Sequence, residues 1–350
     1  MSDTRFEGPN KLDPLVLYRS EEGYEKIMGW YDSVVAKIEV PVQSHYVQTR
    51  FGKTHMLAAG PMDAEPLLLI PGAAGSAPLF RRAIPHLSKN FRVYALDMVG
   101  GPGRSAPNPL SYSDSSYVHW LCDVLDGLHL HSAHIAGQSA GGGIAMKFGV
   151  EQPARTRTVI MFGPTGLARA RLPVKIWVTK VMTKRSANAL EEDLTAKSIR
   201  PERTGESFGT YDRELARSMA LCTKHFRLDR SLGIFNEERQ RIDIMKGLGV
   251  LKKLFLAEPK RWQASLKVPA LLIFGEHELS VNPYKICKKA EKVIPGIETA
   301  VIKHAGHGAI FDQPEKVAHM MEQFVVRKAL AGHQKHAESQ KSLMRASSDV

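Results

Sequence analysis

The stretch HIAGQSAGGGIAMKFGV, residues 134–150, decides how the rest of the chain is read. A short apolar run, Ala133 to Ala136, enters a cluster of small residues, and Ala140 to Val150 leaves it as a helix would. Between them Gly137, Ser139 and Gly141 make a Gly-x-Ser-x-Gly in strand–turn–helix context. The glycines permit a turn sharp enough to lift the serine side chain clear of a sheet. By composition the bare pattern arises in roughly one chain in ten of this length, so its position between strand and helix carries the weight. In an ordinary strand–helix turn the same serine would only cap the helix.

Working outward, Pro66–Ile70, Phe91–Leu96, Thr158–Phe162 and Ala270–Phe274 are further short apolar runs, several ending in Gly-rich or acidic turns. Runs without strict alternation, separated by amphipathic stretches, predict strands covered on both faces and hence a mainly parallel α/β sheet. Tyr117–Leu128 and Pro314–Leu330 read as helices, the second with proline at its first position. Upstream, His45–Arg50 and Lys53–Ala58 read as a hairpin, and Ser20–Ile38 as an amphipathic helix packed on the sheet edge. From Phe162 to Val268 the strand rhythm stops for longer than a structureless loop allows. The expected organisation is an N-terminal extension with a helix (1–44), a core (45–164 and 266–330), a helical cap (165–265) and a disordered tail (331–350). Within the cap, Leu172–Met182 suits a helix with an apolar face.

The 350 residues are 43% apolar and 24% charged, which argues for a folded globular chain. Three dispersed cysteines, Cys122, Cys222 and Cys287, form neither a disulfide framework nor a metal motif. The polar N-terminus and the lack of a long apolar run predict a cytoplasmic protein without a membrane span. Net charge is +12, and residues 165–265 hold 21 Lys/Arg against 12 Asp/Glu, so +9 of it falls there. Acids are spread among those bases and no aromatic interleaving accompanies them, so no nucleic-acid partner is expected. The expected partner is a small-molecule substrate, apolar or anionic; oligomeric state is not legible.

A serine hydroxyl is a weak nucleophile and needs a base held by a third group, in the chain order Ser, acid, His. His307, flanked by Gly306 and Gly308 beyond the strand run 301–304, is the preferred base, with His304 its rival. The acid should follow the preceding strand, where Glu276 and Glu278 both stand. Glu278 is preferred because it lies past the turn, free to face the histidine. Small residues in PGAAGS, 71–76, allow backbone donors to face a cavity, so the N–H groups of Ala73 and Ala140 are the expected oxyanion hole. No Lys-Ser/Thr follows that loop, as a phosphate cradle would require, and Pro102 spoils GGPG (100–103) as a dinucleotide turn. Neither a cofactor nor a metal is expected.

Taken together, PGAAGS (71–76), DMVGGPGRS (97–105), DVLDGL (123–128), HIAGQSAGGG (134–143), FGEHE (274–278) and AGHGAIFDQP (305–314) resemble the α/β-hydrolase superfamily across roughly residues 40–330. The resemblance implies the α/β-hydrolase fold, a cap between the sixth and seventh strands, Ser139 as nucleophile, His307 as base, Glu278 as acid, and Ala73 and Ala140 as oxyanion donors. The chain is most similar to capped esterases and C–C hydrolases. Glu278 stands where the family usually has Asp, and Pro71-Gly72 where it usually has His-Gly. Ser139 sets the chain apart from the dehalogenase and epoxide-hydrolase branches, whose nucleophile is an Asp. The implied function is cleavage of an ester-like bond through an acyl-enzyme, with diketone C–C hydrolysis or non-catalytic ligand binding as alternatives. Asp97 is expected to be structural, holding the turn 97–105.

Overall fold

A computed structural model describes residues 13–112, 114–168, 212–232, 235–236, 241–242, 263–278 and 280–330. β1 (Gln43–Thr49) and β2 (Gly52–Ala59) form an antiparallel hairpin, and β2 pairs antiparallel with β4 (Phe91–Leu96). β3 (Glu65–Ile70), β5 (Ala133–Gln138), β6 (Thr156–Phe162), β7 (Ala270–Gly275) and β8 (Glu298–Ile302) complete an eight-stranded sheet in the order β1-β2-β4-β3-β5-β6-β7-β8. All pairings from β4 to β8 are parallel.

Every residue of β4, β5 and β7 is buried, because helices cover both faces. Alternate side chains serve the two layers. Leu67, Leu69, Ile160 and Ile273 face a layer built from α1 (Glu21–Val35) and the helix at 314–330, with Ile27, Trp30, Met321 and Phe324 at its centre. Leu68, Ile70, Met161 and Leu272 face α2 (Ser116–Gly127), α3 (Ala140–Glu151) and α5 (Pro283–Val293), through Trp120, Leu121, Phe148 and Ala290. Full burial of each large apolar side chain contributes about 1.5–3 kcal/mol, so the sheet is a firm platform for the loops at its strand ends. Four of those loops, after β3, β5, β6 and β7, leave the same carboxyl edge, where open parallel sheets bind ligands.

The N-terminal helix has a second partner besides the sheet. With Tyr31 against His55 of β2, α1 also packs along α4 (Arg213–His225), with Trp30 Nε1 donating to Glu214 Oε2 at 3.1 Å. Just upstream, the Arg19 N–H donates to His225 O and the Arg227 N–H to Leu17 O, a short bridge that pins α4 from outside. Sequence periodicity revealed the apolar stripe of α1 but not the partner waiting for it. Between β6 and β7 the chain also makes a small antiparallel pair, Phe235–Asn236 with Arg241–Ile242. Most of the segment 165–265, including the 172–182 stretch, and the tail 331–350 lie outside the described residues. Among the described residues no helix is long and apolar enough to cross a membrane.

Candidate active site

Ser139 sits between β5 and α3 with φ 54° and ψ −115°. A positive φ at a non-glycine residue costs of order 1–3 kcal/mol, and the surroundings hold it in place. The Ser139 N–H donates to Phe162 O at 2.9 Å, and its carbonyl accepts from Thr165 N at 3.0 Å and Gly143 N at 3.1 Å. A Cβ at Gly141 would lie 2.4 Å from the Ile70 and Pro71 carbonyl oxygens, so only glycine lets α3 start this close to β3. The turn thereby leaves Ser139 half-buried at the carboxyl edge of the sheet.

Two and three strands away, the loops after β7 and β8 deliver a carboxylate and a histidine. Backbone bonds from Glu276 N to Ile302 O and from His277 N to Ala305 O lock the loop after β7 against the loop after β8. His307 Nδ1 then lies 2.7 Å from Glu278 Oε2. The other carboxylate oxygen accepts both Ser280 N at 2.8 Å and Ser280 Oγ at 2.6 Å. Burial alone would raise the Glu278 pKa, but His307 and the Ser280 hydrogen bonds outweigh it and hold the carboxyl below its usual range. For His307, burial works against the charged ring, yet the Glu278 carboxylate, aided by Asp312, raises its pKa above the ordinary histidine value. Both directions describe one ion pair that favours imidazolium beside carboxylate.

The rival residues have other work. Glu276 accepts the His304 N–H, while His304 is exposed with φ 55° and its carbonyl accepts from Gln313 Nε2. Asp97 accepts from Arg104 N at 2.9 Å and Ala77 N at 2.8 Å, so it braces the turn 97–105.

Gly163 joins the two halves of the site. It follows Phe162, whose carbonyl holds Ser139, and a Cβ there would lie 3.0 Å from Glu278 Oε2 and 3.2 Å from His307 Nδ1. With φ 51° as well, the position excludes side chains for both conformational and steric reasons. On the other flank, Gly72 backs onto Ser139, a Cβ there falling 3.2 Å from Ser139 Cβ. Among the described residues the Ala73 and Ala140 N–H groups have no hydrogen-bond partner, and Ala140 opens α3, where backbone donors point outward. Sequence reasoning missed Gly163 and Ser280. Ser280, two residues beyond the acid, had a local signal, since a hydroxyl at that spacing can bond back to a carboxylate. Among the described residues no group of three or more His, Cys, Asp or Glu is placed to hold a metal ion.

Known proteins share this architecture. Carboxylesterase YbfK of Bacillus subtilis is 30% identical over 289 residues, 82% of this chain and 89% of that protein. Its crystal structure superposes with a TM-score of 0.69 at 26% identity, covering 87% of this chain and 98% of that one. The naproxen esterase (carboxylesterase NP) of the same organism gives a TM-score of 0.66 at 25% identity, covering 90% and 99%. A shorter similarity, 31% over 117 residues, 33% of this chain and 41% of that protein, links the chain to 2-hydroxy-6-oxo-2,4-heptadienoate hydrolase of Pseudomonas putida. A family model described as alpha/beta hydrolase fold matches residues 65–314, from β3 to the start of the last helix, and the chain belongs to that family.

Proposed function

We propose that the protein is a serine hydrolase that cleaves an ester-like bond of a small molecule through an acyl-enzyme. One observation carries the reading: the loop after β6 holds the strained Ser139 turn through Phe162 and Thr165 and, at Gly163, abuts the His307–Glu278 pair. Ser139 Oγ attacks the carbonyl carbon while its proton passes to His307. Glu278 holds Nδ1–H, fixes the tautomer and stabilises the imidazolium. The oxyanion is met by the N–H groups of Ala73 and Ala140, donors whose loss typically costs about 3–4 kcal/mol. Collapse expels the alcohol, which takes the proton from His307, and water attacks the acyl-enzyme with His307 again as base. Similarity to two carboxylesterases along most of the chain supports the ester as the bond cleaved.

The segment 165–265 is the proposed cap over Ser139. Its excess of positive charge would surround the entrance and favour anionic substrates. A second reading keeps the residues and changes the bond, to a C–C bond of a diketone-type substrate, and rests on the similarity to the dienoate hydrolase. An acyl-chain series of p-nitrophenyl esters and a vinylogous diketone, given to wild type and Ser139→Ala, separates the two. Ester turnover that falls at least ~10³-fold in the variant is expected. Ester turnover equal in both proteins would contradict the first reading, and preference for the diketone would favour the second.

A further inference from the structure

Asp312 takes no part in the steps above, yet it is only 6% exposed. It ends the helical turn Ala309–Asp312 that follows His307. Its Oδ2 accepts the Gly306 N–H at 2.8 Å, one residue before His307, and its Oδ1 accepts the Asp212 N–H at 3.1 Å, at the start of α4. Asp212 in turn caps α4, accepting from Glu214 N and Leu215 N, and Arg81 Nη2 lies 2.8 and 2.9 Å from its two oxygens. Arg81 closes the turn Ala77–Phe80 that continues the loop 71–76, and neighbouring Arg82 donates to Phe311 O at 3.0 Å. Leu215 packs against Gly308, the residue after His307. Three segments that bound the site therefore meet at two buried carboxylates.

A carboxylate suits this junction because it can accept two N–H groups at once, whereas an amide offers one acceptor and a donor that opposes the second N–H. Burying it is tolerable only when both oxygens are hydrogen-bonded. We infer that Asp312 is a positioning residue for the hydrolysis: one carboxylate registers the His307 loop against α4 and, through Asp212 and Arg81, against the loop 71–76. The inference rests on reading Ser139 and His307 as nucleophile and base. A shift of α4, which lies inside the proposed cap, would then be felt at His307. Among the described residues the charged groups around His307 are Glu278 and Asp312, with Asp212, Arg81 and Arg82 behind Asp312. Both carboxylates favour the imidazolium, Glu278 more than Asp312.

The test compares Asp312→Asn and Asp312→Glu with wild type. It reads the His307 imidazole titration by NMR, the rate of fluorophosphonate labelling, and kcat and KM on a p-nitrophenyl ester. Asp312→Asn is expected to move the His307 midpoint to lower pH and slow labelling ~10-fold or more, with the loss in kcat rather than KM. Asp312→Glu keeps the charge, so it should keep the midpoint and recover part of the rate. A wild-type labelling rate in Asp312→Asn, or a slowed rate with an unmoved midpoint, would overturn the inference. Should wild type itself take no label, the hydrolase reading falls, and the NMR midpoints still decide whether Asp312 acts on His307. If Asp312→Asn does not fold, Asp312→Glu carries the test: slower labelling at an unchanged midpoint supports the clamp, and labelling at the wild-type rate removes it.

Discussion

Among the described residues two histidines, His55 and His307, meet a carboxylate through Nδ1 at nearly equal distance, and the two pairs stand in opposite environments. His55 Nδ1 is 2.9 Å from Asp97 Oδ2, and both side chains have no exposure. Tyr31 donates to the same Asp97 oxygen at 3.0 Å, and His55 Nε2 is 2.6 Å from Ser44 Oγ. His307 Nδ1 is 2.7 Å from Glu278 Oε2, but the His307 side chain keeps 11% exposure, and the pair lies against the loop that holds Ser139. A short contact to a carboxylate is thus not what marks a catalytic histidine. At His55 both ring nitrogens are engaged and sealed inside, so the pair ties β2, β4 and α1 together. At His307 the carboxylate fixes Nδ1, and the side chain keeps some exposure beside the loop that holds Ser139.

The largest effects should come from exchanging the roles of these pairs. His307→Ala is expected to lower kcat at least ~10³-fold per folded molecule, along with some loss of stability because the buried Glu278 loses its partner. His55→Ala should cost stability alone, about 3 kcal/mol in urea unfolding because Asp97 loses its buried partner, with kcat per folded molecule kept. If both variants lost activity alike and both folded, the contrast would break.

Glu278→Gln should cost about 10²- to 10⁴-fold in kcat. Its pH dependence sharpens the point. The base must be neutral to act, so activity rises with pH through the His307 pKa, which Glu278 holds above the ordinary value of about 6.5. Removing that charge moves the midpoint of the kcat/KM profile to lower pH. A midpoint that stays or rises would show that the carboxylate does not govern this histidine.

Ser280→Ala removes one of the two donors on Glu278 Oε1 and leaves the backbone N–H. A hydrogen bond to a charged group is worth about 1.5–3 kcal/mol, so a fall of roughly tenfold in kcat is expected. The smallest effect concerns substrate charge: carboxylate-bearing esters should outpace neutral ones a few-fold in kcat/KM at low salt, and the preference should fade as salt screens the +12 chain.

What could be read from the chain before its structure depended on how local each signal was. β7 announced itself as a continuous apolar run because every residue in it is buried, and β4 and β5 nearly did, broken only by Arg92 and by His134 and Gln138. The Ser139 turn was legible because its glycines must lie within a few residues of the serine. Glu276 and Glu278 could be separated only by preference, since both follow β7; in the fold Glu278 lies against His307 and Glu276 on the His304 backbone. The contact of Trp30 with Glu214 and the Asp212–Asp312 junction stayed hidden, because they join residues far apart in sequence and no periodicity encodes a partner. Gly163 was equally silent, its need set by two side chains that arrive from β7 and β8.

Intact-mass and peptide-level mass spectrometry after fluorophosphonate treatment tests the central claim most directly. A single adduct on Ser139 is expected, formed quickly by wild type, slowly by His307→Ala and not at all by Ser139→Ala. No adduct on folded wild-type protein, or an adduct of equal yield in Ser139→Ala, would contradict it.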